Sequence, residues 1–374
     1  MVNFNEIVII HEYGEPSHYI ALTTWAKKND IKVKYIEFSI ARNIYRAIKL
    51  RRYLDILRHF YSFFYLIFNY ILPPRENKKI YIVGMAPLDK FVFIFNRILK
   101  NVDYIYHTSW LYWDGGNYPK CNSIKTDVLR DEWCTFLSKA NAIACVTPDV
   151  KNSISEYFDV KDKAYVVYHA YDPEIFHPAK VRKKDRKKLN IVYLGRLERN
   201  KGIEKLDEIL SSDKESSYKI IGRGTLEPYV NKLTKEYDNI EYLGYFENKN
   251  DIAATLMYSD IILLPSMKIL AWEELFGISL IEAMACGCIP IVTDHKGPKT
   301  ILTDSRLKKL ILSESLFIPR ALELIDELYS NSAIRSELSE VCIKLSSEYT
   351  LEKIGELWVS IIYEKIANNQ EAKL

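Results

Sequence analysis

The sequence predicts an α/β protein built on two parallel sheets. Three observations carry that reading. Short apolar runs rich in β-branched residues recur along the chain, they alternate with helix-length amphipathic stretches, and a proline-and-basic segment near the middle divides them into two sets. Continuous runs of this kind suit strands covered on both faces. Alternation with helices gives βαβ units and parallel pairing.

In the first half the runs are Ile7–Ile10, Val33–Phe38, Ile80–Val83, Tyr104–Tyr106, Ala142–Val146 and Tyr165–Tyr168. In the second half they are Ile191–Leu194, Lys219–Ile221, Ile240–Leu243, Ile261–Leu264 and Ile289–Val292. Between them, residues 171–190 read YDPEIFHPAKVRKKDRKKLN. Two prolines followed by a dense basic run, without apolar periodicity, is linker composition. It separates an expected first domain at 1–170 from a second at 191–350. A last helix is expected over 351–366, with apolar residues at 351, 354, 357, 358, 361 and 362 on one face.

Composition excludes some classes. At 48% apolar and 27% charged residues the chain is not disordered. With 52 Lys and Arg against 49 Asp and Glu it lacks the excess positive charge of a nucleic-acid wrapper. Six cysteines, none in a CxxC pair, read as reduced thiols in a cytosolic protein with no zinc site. Near the start, Glu6 stands where a secretion signal needs positive charge, and the apolar run stops after four residues, so neither signal nor anchor is expected there.

Residues 42–72 depart from ordinary composition. Arg42, Arg46, Lys49, Arg51, Arg52 and Arg58 face a single acid, Asp55, and are followed by FYSFFYLIFNYIL at 60–72. Thirteen residues are too few for a helix to span a bilayer, which takes about 20. The stretch suits a membrane interface, with aromatic rings among headgroups and Arg46, Lys49, Arg51, Arg52 and Arg58 on phosphates. It also suits a pair of core helices with a solvated basic face.

Three segments of the second half carry candidate chemistry. In IVYLGRLERNKGIE, residues 191–204, a strand runs into Gly195, and Arg196 and Lys201 follow it. The carboxyl end of a strand in an open α/β sheet is where ligands bind, and two cations there suit a diphosphate. A solvated loop is the alternative. In YKIIGRGTLEPYV, residues 218–230, Gly222 and Gly224 follow a strand, but Glu227 occupies the third glycine position of a dinucleotide fingerprint, so no NAD site is expected. Close backbone approach to a ligand and a plain strand-to-helix turn both remain open.

The third segment, EELFGISLIEAMACGCIPIV at 273–292, is the most specific. Gly277 precedes a helical pattern beginning near Ile278. A helix start offers free N–H groups and partial positive charge to phosphate. Glu274 lies in the loop before it and Glu282 about one turn inside. Ser279 and Glu282 also spell a capping box, which leaves Glu274 and the Phe276-Gly277 pair unexplained.

The sequence here resembles the retaining glycosyltransferases of family 4. The E-x7-E pattern at Glu274 and Glu282, E-x-F-G at 274–277, E-A-M-A-x-G at 282–287, G-R-x-x-x-x-K-G at 195–202 and G-x-G at 222–224 all match. Residues 142–178 are similar to the segment that leads into that family's linker. The resemblance implies a GT-B fold: two Rossmann-like domains with parallel sheets facing an interdomain cleft, and a C-terminal helix, 351–374, packing back on the first domain. It implies that Arg196 and Lys201 hold the diphosphate of a nucleotide sugar, that Glu282 holds the ribose, and that Glu274 contacts the transferred sugar. Amides around Gly277, Ile278 and Ser279 would support phosphate and sugar, with Phe276, Gly222 and Gly224 completing the donor site. It implies a catalytic histidine after a first-domain strand, a place His107 fills by following Tyr104–Tyr106, facing the cleft. The first strand's loop, HEYGEPSHY at 11–19, holds one glycine, Gly14, on the acceptor side where many members have several.

The expected function is transfer of a sugar from a UDP- or GDP-linked donor to a saccharide acceptor, lipid-linked or a polysaccharide precursor, by a cytoplasmic protein at the inner face of the membrane. No D-x-D triplet occurs, so no metal or other cofactor is expected. Fixed cations and helix amides would stabilise the leaving diphosphate. The alternatives are a soluble transferase on a small acceptor, a nucleotide-sugar epimerase, and a sugar-nucleotide binding protein without turnover.

Overall fold

The computed structural model describes residues 4–49, 51, 53–75, 78–114, 126–179, 188–270 and 272–364. The chain divides into two units, Met1–His169 with Leu351–Leu374, and Ala170–Thr350.

In the first unit the strands are β1 (Glu6–His11), β2 (Lys32–Glu37), β3 (Lys79–Gly84), β4 (Tyr104–Thr108), β5 (Ala142–Cys145) and β6 (Ala164–Val166). Its helices are α1 (Ile20–Lys28), α2 (Ile40–Lys49), α3 (Tyr53–Ile71), α4 (Val92–Ile98), α5 (Thr126–Lys139) and α6 (Pro148–Tyr157). The sheet is parallel in the order β2-β1-β3-β4-β5-β6. Ile7, Val8, Ile9 and Ile10 are fully buried. Helices cover both faces of β1, so consecutive rather than alternate positions are apolar.

The second unit holds β7 (Asn190–Leu194), β8 (Ser217–Ile221), β9 (Ile240–Gly244), β10 (Ile261–Leu264), β11 (Ile289–Thr293) and β12 (Ile311–Leu312). Its helices are α7 (Leu206–Ser212), α8 (Glu227–Glu236), α9 (Lys249–Leu256), α10 (Ile278–Ala285), α11 (Lys296–Ile301), α12 (Phe317–Ser330) and α13 (Ser332–Ser346). Strand order is β12-β11-β10-β7-β8-β9, again parallel. This is the doubly wound order of dinucleotide-binding sheets, whose direction of winding reverses between β7 and β10. The two-residue strand β12 lies in a run of only three apolar residues, Leu310–Leu312, and goes unseen in the sequence.

The last helix, α14 (Leu351–Ile362), packs on α1 of the first unit. Gly355 makes the approach close: a Cβ there would lie 3.2 Å from the Ala21 carbonyl oxygen. Trp358 is buried one turn on, its ring 6.1 Å from that of Tyr19.

Residues 42–72 fold as α2 and α3, and α3 is inside out. The side chains it buries are His59, Ser62, Leu66 and Asn69, three of them polar, on one face by their spacing. Its exposed positions include Leu57, Phe60, Phe64, Phe68 and Ile71, at 48–70% exposure. The basic side of the pair is solvated at Lys49 and Arg51, while the exposed aromatics of α3 are more than a core helix leaves outside. No helix among the described residues is long and apolar enough to cross a membrane.

Candidate active site

In open α/β sheets ligands bind beyond the carboxyl ends of the strands where the winding reverses. In the second unit that place lies between β7 and β10. The loop after β7 carries Arg196 and Lys201, and the loop after β10 carries Glu274. The structure brings two of these together: the Lys201 ammonium pairs directly with Oε2 of Glu274. Lys201 also lies 4.8 Å from the centre of the Trp272 ring. Both charges are mostly covered, with about a fifth of each side chain exposed, so water screens the pair weakly. Arg196 is exposed and forms no ion pair among the described residues. Its backbone is anchored instead, with its carbonyl accepting from the Tyr193 hydroxyl at 2.9 Å.

Glu274 is set by His295, which the sequence reading missed. Nδ1 of His295 accepts the Glu274 N–H at 3.1 Å, so Nε2 carries the proton and donates to the Ser266 carbonyl at 3.1 Å. Next to Glu274, Phe276 is buried edge-on to Tyr349, with ring centres 5.5 Å apart. Gly277 follows at φ +98°, a left-handed value open to glycine, and starts α10 with no side chain capping it. The first N–H groups of α10, at Ile278 and Ser279, are left for an anion. The enclosed space lined by Glu274, Phe276, Gly277 and Leu280 is only about 10 Å³, one water at most. A ligand here lies over the carboxyl edge rather than inside the unit.

The capping-box reading of Ser279 and Glu282 fails, because Gly277 is the cap and Glu282 points elsewhere. Its buried carboxylate accepts from Lys249 of α9 at 2.8 Å. Burial raises the Glu282 pKa, and Lys249 opposes the shift. Lys249 is 33 residues away in sequence and nothing in its own segment marks it.

Gly222 and Gly224 allow two loops of the second unit to approach closely. A Cβ on Gly222, at φ +153°, would overlap the Gly195 carbonyl oxygen, and one on Gly224 would overlap the Leu197 backbone. The two loops are zipped together, with Gly195 N–H on Ile221 O at 3.1 Å and Leu197 N–H on Arg223 O at 3.0 Å. The glycines therefore hold the loop that carries Arg196. Gly222→Ala is expected to cost at least about 3 kcal/mol of stability, read as a lowered urea midpoint. An unchanged midpoint would show that the loops separate freely.

In the first unit His107 lies within β4, not after it, and is 4% exposed. Its Nδ1 is 3.1 Å from the Tyr19 hydroxyl. Around it stand His18, His169, His11 and Trp358, with the His18 and His169 rings stacked at 4.9 Å. Burial, then neighbouring imidazoles, lowers the His107 pKa well below its ordinary value. These histidines come from the ends of β1 and β4, the turn before α1 and the segment after β6. Only His107 stood out in the sequence. Gly14 does not join them. It leaves room for the ion pair of Arg58 with buried Glu37, since a Cβ there would lie 2.8 Å from the guanidinium.

Arg58, expected on membrane phosphates, binds Glu37 at 2.8 Å, and His59 Nδ1 lies 2.5 Å from the same carboxylate. Lys49 and Arg51 are exposed near the turn between α2 and α3. Arg52 and the side chain of Arg46 lie outside the described residues. Among the described residues no group of three or more His, Cys, Asp or Glu is placed to hold a metal ion.

Residues 176–344 match the family model described as Glycosyl transferases group 1. An uncharacterized glycosyltransferase of Haemophilus influenzae is 28% identical over 144 residues, 38% of this chain and 39% of the relative. The chain thus spans well under half of that relative. Among solved structures, sucrose-phosphate synthase from Thermosynechococcus elongatus superposes with a TM-score of 0.67 over 97% of this chain and 99% of its own, at 14% identity. Anabaena Alr3699/HepE in complex with UDP gives 0.64 over 96% and 100%, at 11% identity. These establish the GT-B fold of glycosyltransferases, two six-stranded parallel α/β units.

Proposed function

We propose that this chain is a retaining, metal-independent glycosyltransferase of family 4. It transfers a sugar from a UDP- or GDP-linked donor to a saccharide acceptor carried on a lipid, at the inner face of a membrane. The observation that carries the reading is the Lys201–Glu274 pair at the winding reversal of the second sheet, inside the stretch that matches the family model. That Anabaena HepE was crystallised with UDP supports a uridine donor. The inverted aromatic face of α3 supports a membrane location.

The chemistry follows from the charges. As the bond from sugar to diphosphate breaks, negative charge grows on the leaving oxygen. Lys201 is already oriented by Glu274 and Trp272, and the α10 amides are fixed by the helix, so neither must reorganise to receive that charge. Arg196 adds a second cation from the zipped loop. An ammonium has three donors, so Lys201 can pair with Glu274 and a phosphate oxygen together, and the carboxylate keeps a second oxygen for a sugar hydroxyl.

A thermal-shift screen with UDP, GDP, ADP and their sugars tests the donor assignment, since a ligand that binds only the native state raises the melting point. Product analysis with and without acceptor follows. Sugar isomerised without acceptor would identify an epimerase instead. Lys201→Ala is expected to weaken UDP at least about tenfold, the scale of one charge-assisted hydrogen bond, and uridine much less. Equal losses would remove Lys201 from the phosphate site.

A further inference from the structure

A groove of about 740 Å³ runs between α2, α3 and α4 in the first unit. Phe38, Ile40, Phe63, Ile67, Phe91 and Ile94 line it, and Arg42 is the one charged side chain on its wall. Its volume lies in the ordinary range for small-molecule sites, roughly 300–1,000 Å³. Phe63, Ile67 and Ile71 remain 41–62% exposed, so the protein does not close the groove with its own side chains.

Two features say what covers it. The first is position. Phe38 and Ile40 directly follow the carboxyl end of β2, and Phe91 lies between the end of β3 and α4. The groove thus opens on the same edge of the sheet as His11 at the end of β1 and His107 at the end of β4. From β2 to β4 is three strand spacings, about 14 Å, within reach of one extended ligand. The second is charge. Residues 38–54 contain five Arg or Lys and no acid. Arg42 stands at the groove wall, 2.9 Å from Glu12 and from the Tyr13 hydroxyl, and Lys49 and Arg51 are exposed at the far end of α2. An apolar slot beside cations fits a hydrocarbon chain that ends in an anion.

We propose that this groove holds the hydrocarbon chain of a phosphate-bearing lipid acceptor, with the phosphate near Arg42 and the saccharide directed along the carboxyl edge toward His107. The proposal deepens the lipid-linked reading above and rests on it. It separates two uses of α3. The groove side takes one chain, while the outer aromatics, Phe64 and Phe68, meet the bilayer surface.

The test uses the full chain and monomeric probes below their micellar concentrations. Dodecyl phosphate should bind saturably, and about tenfold more tightly than decyl phosphate for its two extra buried methylenes. Inorganic phosphate should not compete. Ile67→Trp fills the slot at a 41% exposed position, where folding tolerates it, and should abolish chain binding. Phe64→Ser with Phe68→Ser should leave dodecyl phosphate binding unchanged while reducing sedimentation with anionic vesicles. Arg42→Gln should weaken dodecyl phosphate but not dodecanol. The proposal is overturned if binding ignores chain length, survives Ile67→Trp, or is lost instead in the Phe64/Phe68 variant. The UDP thermal shift, measured on the same samples, reports on the transferase reading separately: a normal UDP response without chain binding removes the groove proposal alone.

Discussion

Glu274→Gln is expected to lower sugar transfer about 10²–10³-fold, the loss typical when one preorganised polar group is removed from a charged transition state, with the melting temperature nearly unchanged. The carboxylate makes one side-chain interaction that matters to the unit, its pair with Lys201. The rest of its anchoring is backbone: its N–H on His295 and its carbonyl accepting from Gly297 N–H at 2.8 Å. Glutamine keeps the shape and both backbone bonds, so the loop should hold. What changes is charge. Without the carboxylate, Lys201 is released, and UDP affinity should be kept or tightened while turnover collapses. That divergence distinguishes a group acting on the sugar from one that only positions Lys201. If UDP binding and turnover fall together, Glu274 acts through the lysine; near-wild-type turnover would remove it from the chemistry altogether.

Much of this frame is legible in the sequence because buried parallel strands leave continuous apolar runs. Eleven of the twelve strands among the described residues announce themselves that way, and β12 does not because it is two residues long at a sheet edge. The motif residues Lys201, Glu274 and Gly277 are legible because a tight turn, a cation and a helix start must lie at fixed offsets. What tertiary structure alone assembles stays hidden. Lys249 pairs with Glu282 across 33 positions, and His295 reaches Glu274 across 21. Four scattered histidines meet only because the ends of β1 and β4, the turn before α1 and the segment after β6 lie on one edge of the sheet. Helix α3 misleads differently: His59, Ser62 and Asn69 read as a solvated stripe, yet each is buried. His59 sits against Glu37, the Ser62 hydroxyl accepts the Glu37 N–H at 3.2 Å, and Asn69 donates to the Tyr65 carbonyl at 2.7 Å. The polar groups turn inward because they find partners there, and the aromatics are left outside.

Between pH 7.5 and 5.5 the protein is expected to lose roughly 4 kcal/mol of stability through His18, His107 and His169. Burial, then His11, holds His18 down to about 4, and burial, then His18, holds His169 down to about 3. His107 lies well below its ordinary value for the same reasons. All three are therefore neutral in the folded protein near neutrality. In the unfolded chain each titrates near 6.5. Below that value the unfolded chain takes up protons that the folded chain refuses, so folding stability falls as the pH falls. The loss is about 1.4 kcal/mol per pH unit for each histidine. It continues until the pH reaches the folded values, about 4 for His18 and about 3 for His169. One unit below 6.5, three histidines together give the loss stated, a large part of the 5–15 kcal/mol typical of a folded domain. Urea midpoints at pH 7.5, 6.5 and 5.5 measure it. His18→Asn and His169→Asn should each flatten the profile, because each removes a group that the unfolded chain protonates and the folded chain does not. Superimposable profiles for the variants and the parent would mean that water and protons reach these rings before the unit unfolds. The cluster would then be an open site rather than part of the core that holds His107 in place.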